Sequence, residues 1–150
     1  MRPALRVLSP GLLTTIQDRG RTGYQHLGVP VSGALDPVAL AAANALVNNR
    51  PGEAALEIFY RGPALAVEAD SVRVAVAGGD AQIEKLEDRN AESGQRIETM
   101  RSVTLRRGEV IRIGGISGGA CAYFAIESGF AIESVLGSLS TDIRSRIGGI

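Results

Sequence analysis

A carboxylate, a guanidinium and a histidine lie close together in the segment from Gln17 to Asp36, which reads QDRGRTGYQHLGVPVSGALD. Asp18 and Arg21 suit a planar amide, because a carboxylate accepts from the amide N–H and a guanidinium donates to the carbonyl oxygen. The same guanidinium would stabilise the charge that develops on a carbonyl oxygen when an amide is attacked or phosphorylated. His26, the only histidine of the chain, can move a proton near neutral pH. Asp18, Arg21 and His26 are therefore the candidate catalytic residues.

Each of these residues also has a purely structural explanation. Asp18 and Arg21 could form an ion pair that does no more than hold a turn. A lone histidine with no second histidine or cysteine beside it is often a structural hydrogen-bonding group. Asp36 precedes Pro37, and this pair is typical of the start of a helix, where the carboxylate caps free backbone amides. The residues alone leave both explanations open.

A second polar cluster lies near the end of the sequence. Residues 136–142 read LGSLSTD, with Arg144 and Arg146 close behind. Hydroxyls and guanidiniums together could hold a carboxylate or a phosphate. Clusters of serine, threonine and glycine are, however, mostly turns.

The segment Gly115–Gly119 fits the pattern G-x-S-x-G but lacks the surroundings of a catalytic serine. A nucleophile elbow requires a helix after the serine and a histidine later in the chain. A strand-like run follows Ser117, and His26 comes earlier. We therefore reject the elbow and predict a mobile hairpin loop.

The hydrophobic pattern predicts a mainly β fold with one main helix. Asp36-Pro37 opens a run rich in alanine and leucine, and asparagines, a proline and a glycine stop it, so the helix should span about residues 36–48. Residues 106–109 form a predicted hairpin turn between two of the strands. A β-barrel or curled sheet with a helix at one end is expected. The predicted strands cover residues 5–8, 13–16, 71–77, 103–105, 110–113 and 121–126.

Composition excludes several classes of function. Sixteen basic residues balance sixteen acidic ones, so no net charge draws the chain to nucleic acid or to an anionic membrane. The only lysine, Lys85, follows no glycine-rich phosphate loop. The only cysteine, Cys121, has no partner for a disulfide or a zinc site and is expected to be a buried, inert thiol. We expect no metal site, no membrane span and a cytoplasmic protein.

The order of these motifs resembles the biotin-dependent carboxyltransferase-domain family. The resemblance begins with QD-x-GR-x-G and H-x-G-V-P-x-S-G-A-x-D, which here run from Gln17 to Asp36. It extends over nearly the whole chain. The family includes the urea carboxylase carboxyltransferase domain, allophanate hydrolase subunit 2, the 5-oxoprolinase C subunit and an antagonist of a sporulation-kinase inhibitor. Further matching runs are 44–48, 56–57, 77–80, 107–109, 123–129 and 135–138.

The resemblance implies a cyclophilin-like β-barrel topology and an enzyme subunit that acts on a small amide or lactam. That subunit would either take part in ATP-dependent opening of 5-oxoproline to glutamate or act as a biotin-dependent carboxyltransferase. It would work with a sibling subunit or domain that carries ATP or biotin, with no cofactor bound to this chain alone. Carried over by position, the resemblance adds substrate-binding candidates to the catalytic ones, namely Gln17, Asp36, Ser138, Ser140 and Thr141.

This sequence departs from the family pattern in two places. Leu139 stands where the family's G-S-R-S-T motif has an arginine, and a leucine cannot donate to an anion. The sequence also ends inside a stretch where family members continue, so we expect residues 1–150 to be the N-terminal part of a domain truncated at its C-terminus. We expect such a chain to be inactive alone and to self-associate through an unpaired edge or apolar face. The alternative is a non-catalytic module that regulates a sibling subunit or a kinase inhibitor.

Overall fold

The computed structural model describes residues 5–149, and in it eight strands form one antiparallel sheet. The sheet curls into an open half-barrel with one α-helix, which confirms the predicted mainly β fold. None of the helices in residues 5–149 has the length and apolar character that a membrane span requires. In chain order the elements are β1 (Leu5–Ser9), β2 (Leu13–Gln17), a 3-10 helix (Gln25–Leu27), α1 (Pro37–Leu46), β3 (Ala55–Phe59), β4 (Ala64–Val67), β5 (Ser71–Leu86), β6 (Gln95–Ile97), β7 (Ser102–Arg106) and β8 (Val110–Ile126).

Two long strands, β5 and β8, organise the sheet by pairing with each other along most of their lengths. β8 also pairs with β4 near its beginning and with β3 near its end, which gives the order β1-β4-β8-β3-β2. β6 and β7 pair with β5. β2 therefore stands at one end of this path, and the segment that leaves it is the candidate loop.

The structure corrects two local predictions. Gly115–Gly119 is part of the continuous strand β8 and not a hairpin loop. The glycines there lie opposite the part of β5 where the register between the two strands shifts. Residues 106–109 do form a turn, but β7 and β8 do not make a hairpin, since each pairs with β5. The turn was predictable from its residues, whereas the partner strand depends on how the whole sheet assembles.

β5 supplies side chains to two apolar cores on its two faces. Val72, Val74 and Val76 belong to the larger core inside the curl of the sheet. Ala75 and Ala77 lie on the opposite face, under α1. Small residues on this second face let the helix approach closely, so the alternating pattern serves both cores.

The helix begins and ends as its sequence predicts. The Asp36 carboxylate accepts hydrogen bonds from the amides of Val38 (3.1 Å) and Ala39 (2.9 Å), and Pro37 occupies the first helical position. Asn48, just beyond the helix, has a φ of 60°, a left-handed conformation that asparagine tolerates and that stops a helix. α1 therefore fixes where the candidate loop ends.

An apolar groove of about 430 Å³ lies along β2. Its walls include Leu12, which is 73% exposed, and Ile143, which is 62% exposed. Such a surface is consistent with the expected self-association, which stays a prediction.

Candidate functional site

Asp18 joins two polar clusters that are 120 residues apart in the sequence. It follows directly after β2, and its Oδ1 atom accepts hydrogen bonds from the hydroxyls of Ser138 and Ser140, both at 2.6 Å. Oδ1 also accepts from the Gly20 amide (2.7 Å), and Oδ2 accepts from the Leu139 amide (2.7 Å). One carboxylate thus holds the turn of its own loop and the Ser138–Ser140 segment together. We call this arrangement the Asp18 junction.

These contacts keep Asp18 ionised. Its partial burial by itself raises the pKa, because a low-dielectric surrounding disfavours the charged form. The hydrogen bonds from Ser138, Ser140, Leu139 and Gly20 favour the carboxylate and outweigh this effect, so the pKa of Asp18 lies below its ordinary value. The negative charge is therefore a permanent part of the junction at neutral pH.

Arg21 is a buried guanidinium, 1% exposed, that also binds the second cluster. Its Nη2 atom donates to the carbonyl oxygen of Ser140, and its Nε atom donates to that of Val135 at 3.4 Å. Nη1 donates to the Ser32 hydroxyl at 3.4 Å. Among residues 5–149, Arg21 takes part in no ion pair within 4.0 Å. Asp18 and Arg21 therefore hold the same segment and do not pair with each other.

Gln17 and Thr141 extend the junction along the edge of β2. The Gln17 amide nitrogen donates to the Thr141 carbonyl oxygen (3.0 Å), and its oxygen accepts from the Gly33 amide (3.2 Å). The Thr141 amide donates to the Ile16 carbonyl oxygen (2.8 Å). The structure thus brings together every predicted site residue except His26 and Asp36. Those that meet are Gln17, Asp18, Arg21, Ser138, Ser140 and Thr141.

His26 and Asp36 lie outside this cluster. His26 is exposed in the 3-10 helix, and its imidazole makes no hydrogen bond with any residue in the range 5–149. Asp36 is exposed and uses its carboxylate to cap α1. The catalytic role of His26 and the substrate-binding role of Asp36 stay predictions.

Ser32 and Asp142 escaped prediction from the sequence, yet they complete the surroundings of Arg21. The Ser32 hydroxyl donates to Asp142 Oδ2 at 3.1 Å while it accepts from Arg21. The pKa of Asp142 lies below its ordinary value, chiefly because the Ser145 amide donates to it, with smaller contributions from Ser32 and from the charge of Arg21. The available signals were the place of Ser32 in the motif H-x-G-V-P-x-S-G-A-x-D and that of Asp142 at the end of the second polar cluster.

A buried polar pair under the loop also escaped prediction. Glu57 on β3 and Tyr123 on β8 are direct cross-strand partners, and the Tyr123 hydroxyl donates to Glu57 Oε2 at 2.5 Å. The Leu35 amide donates to the same carboxylate oxygen (2.8 Å), and the Asp36 amide donates to the Tyr123 oxygen (2.9 Å). The available signals were a single carboxylate within the otherwise apolar strand ALEIF and the place of both residues in the matching runs 56–57 and 123–129. The pair fixes the C-terminal end of the loop.

Burial raises the pKa of the Tyr123 phenol, and the hydrogen bond to Glu57 raises it further. The phenol therefore stays protonated and acts as a donor. Cys121 lies beside it, buried as predicted, and burial raises the pKa of its thiol. A protonated, buried thiol is a poor nucleophile.

An open cleft of about 460 Å³ runs beside Asp18, and Leu139 forms part of its wall. Arg19, Arg50 and Glu53 also line it, so charged groups of both signs border the cleft. No group of three or more histidine, cysteine, aspartate or glutamate side chains within residues 5–149 is placed to hold a metal ion. The chemistry that the arrangement supports is hydrogen bonding and charge stabilisation.

Comparison with known proteins identifies the class of domain to which this curled antiparallel sheet and its bound Ser138–Ser140 segment belong. The family model described as "Carboxyltransferase domain, subdomain A and B" matches residues 27–150, so the chain belongs to the carboxyltransferase-domain family. The segment Gln17–Arg21 lies before the matched range, but alignments with individual relatives include nearly the whole chain.

Three relatives illustrate the similarity. Urea amidolyase of Lachancea kluyveri is 36% identical over 97% of this chain, which corresponds to 8% of that protein. The 5-oxoprolinase C subunit of Escherichia coli is 32% identical over 97% of this chain and 44% of its own length. The crystal structure of TTHA0988 superposes with a TM-score of 0.86 at 35% identity, covering 98% of this chain and 52% of that one. The chain thus spans less than half the length of the Escherichia coli protein.

Proposed function

We propose that this chain forms the N-terminal part of a subunit or domain that processes a small amide or lactam together with a sibling subunit. The observation that carries the proposal is the Asp18 junction, in which the loop after β2 and the Ser138–Ser140 segment are bound by one carboxylate. Both segments are among those that carry the resemblance. A junction of this kind sets the position of groups at the cleft edge to the precision that an amide substrate requires.

The residues divide into two kinds under this proposal. Asp18 and Arg21 have their polar atoms engaged within the protein, so they position the site and supply its fixed charges. His26 is exposed and has no partner within residues 5–149, which leaves its imidazole available to exchange a proton with a substrate or a partner subunit. Preorganised charges and dipoles stabilise a developing oxyanion without reorganisation at the moment of reaction.

In this proposal ATP or biotin is bound by a sibling subunit or domain and not by this chain. Lys85, the only lysine of the chain, lies in β5 and pairs with Glu109 at 3.0 Å. It is therefore engaged away from the Asp18 junction and does not form a phosphate-binding loop. ATP or carboxylated biotin, whichever the enzyme uses, would supply the activated group from a sibling subunit or domain.

Reconstitution of the full-length protein with its sibling subunits tests the proposal. The complex should turn over 5-oxoproline with ATP, or carboxylate urea with biotin, bicarbonate and ATP. Ser140→Ala removes two hydrogen bonds with Asp18, one donated to Oδ1 and one accepted from the Asp18 amide, without introducing a charge. We expect turnover to fall on the order of 100-fold through misplacement of the loop. Asp70→Asn, a remote exposed carboxylate, is the matched control.

Absence of turnover on either amide by a complex whose partner subunits bind ATP or carry biotin would refute the proposal. Unchanged turnover in Ser140→Ala would show that the Asp18 junction does not contribute to the activity. Both measurements use the assembled complex, because the chain alone is expected to be inactive.

A further inference from the structure

Two arginines that the resemblance did not include as site residues line the cleft beside Asp18. Arg19 comes from the loop after β2, and Arg50 comes from the turn after α1, where it is exposed. Within residues 5–149 neither forms an ion pair, and neither guanidinium donates a hydrogen bond to another residue. Both guanidiniums therefore keep their donors for an anion that enters the cleft, and an anion bound by both would gain from two positive charges.

Gly52 leaves space for the Arg19 side chain. A Cβ atom built on Gly52 would overlap the Arg19 Nε atom and would lie 2.9 Å from its Cζ atom. The Arg19 side chain therefore lies directly across Gly52, next to the turn that carries Arg50. Gly52 has no left-handed φ, so the need for glycine here is one of space and not of backbone conformation.

Two carboxylates, Asp18 and Glu53, also line the cleft, but neither forms an ion pair with Arg19 or Arg50. Asp18 directs both its oxygens to four donors within the protein. Glu53 lies against Gly129, since a Cβ there would be 2.7 Å from Glu53 Oε1. Leu139 offers only an apolar side chain. The guanidiniums are the donors left for a ligand, and their planar fork matches a carboxylate.

We propose that Arg19 and Arg50 bind the carboxylate of the substrate, so that the cleft selects an amide that carries a carboxylate, such as 5-oxoproline, over a neutral one. The site rests on the proposed function for the identity of its ligand. The Asp18 junction fixes the position of the loop that carries Arg19 at the edge of the cleft.

Binding of two lactams to the 150-residue chain tests this site directly. The probes are 5-oxoproline and pyrrolidin-2-one, which has the same ring without the carboxylate, titrated into the isotope-labelled protein and followed by NMR. We expect 5-oxoproline to shift the Gly52 amide and Arg19 side-chain signals saturably, with pyrrolidin-2-one binding at least about tenfold more weakly. Equal affinity for the two lactams, or no binding of either, would overturn the proposal.

Three variants and a control separate this site from general charge effects. Arg19→Gln and Arg50→Gln should each weaken 5-oxoproline binding about tenfold and leave pyrrolidin-2-one unaffected. Gly52→Ala retains both arginines but displaces Arg19, so it should also weaken binding severalfold. Arg89→Gln removes an exposed arginine that lines a different surface cleft and should change nothing. Unchanged affinity in both arginine variants would contradict the assignment.

The assembled complex distinguishes this inference from the proposed function. Arg19→Gln and Arg50→Gln should raise the KM for 5-oxoproline about tenfold with little change in kcat. A complex that opens 5-oxoproline with the same KM in both variants would exclude the carboxylate site and leave the proposed function standing. If Arg19 and Arg50 bound a carboxylate in a complex that acts on no amide, the carboxylate site would stand and the proposed function would be excluded.

Discussion

Replacement of Asp18 by asparagine is the sharpest perturbation of the junction between the loop and the Ser138–Ser140 segment. Asparagine keeps the shape and one oxygen, which can still accept from the two hydroxyls and from the Gly20 amide. The amide group of asparagine then meets the Leu139 N–H, which is 2.7 Å from Oδ2 in the native protein, and two donors face each other. The native charge is also lost from every remaining bond.

The magnitude follows from these contacts. A hydrogen bond to a charged group contributes roughly 1.5–3 kcal/mol against 0.5–1.5 kcal/mol for a neutral one, and a donor left unsatisfied costs about 1–3 kcal/mol. Losing one bond and weakening three, in a site that is only partly buried, should lower the free energy of unfolding by about 2–4 kcal/mol. Asp70→Asn is the control, because its ion pair with Arg107 is exposed and should contribute about 0–1 kcal/mol.

Urea unfolding of the 150-residue chain, followed by circular dichroism at several pH values, measures this difference. The folded pKa of Asp18 lies below its ordinary value of 3.8, so its contribution is fully present above that value. It is lost as the pH falls through the folded pKa, where the protonated carboxyl resembles the amide. The difference in the free energy of unfolding between the native protein and Asp18→Asn should therefore become smaller in acid. A loss no larger than that of the Asp70 control, or a difference independent of pH, would refute the reasoning.

Two further substitutions test the other contacts of the loop. Arg21→Lys keeps the charge but loses the fork that reaches two carbonyl oxygens and a hydroxyl. We expect a loss of about 2–4 kcal/mol by thermal unfolding, against almost none for the exposed Arg89→Lys, and equal stability would show that the fork is not needed. Tyr123→Phe removes the donor to buried Glu57 and should cost about 1–3 kcal/mol. Combining it with Glu57→Gln should give less than the sum of the single losses, and strict additivity would contradict the coupling.

The sequence by itself determined the local features of this protein. The Asp36-Pro37 start of α1, the alternation in β5 and the burial of Cys121 follow from capping, strand periodicity and hydrophobicity, which are properties of a residue and its near neighbours. The polar segment Gln17–Asp36 was also recognisable, because its glycines and Pro30 preclude regular structure while its side chains carry chemistry.

Only the tertiary structure decided which of those side chains meet. Strand pairing across β3, β8 and β5 places Glu57 opposite Tyr123 and leaves β2 at an edge, where residues 135–142 pack beside it. Asp18 then binds the Ser138–Ser140 segment, and Arg19 reaches the turn at Gly52. No local propensity encodes a contact across 120 residues. It arises because a buried guanidinium and a partly buried carboxylate require donors and acceptors, and only the folded sheet brings these within reach.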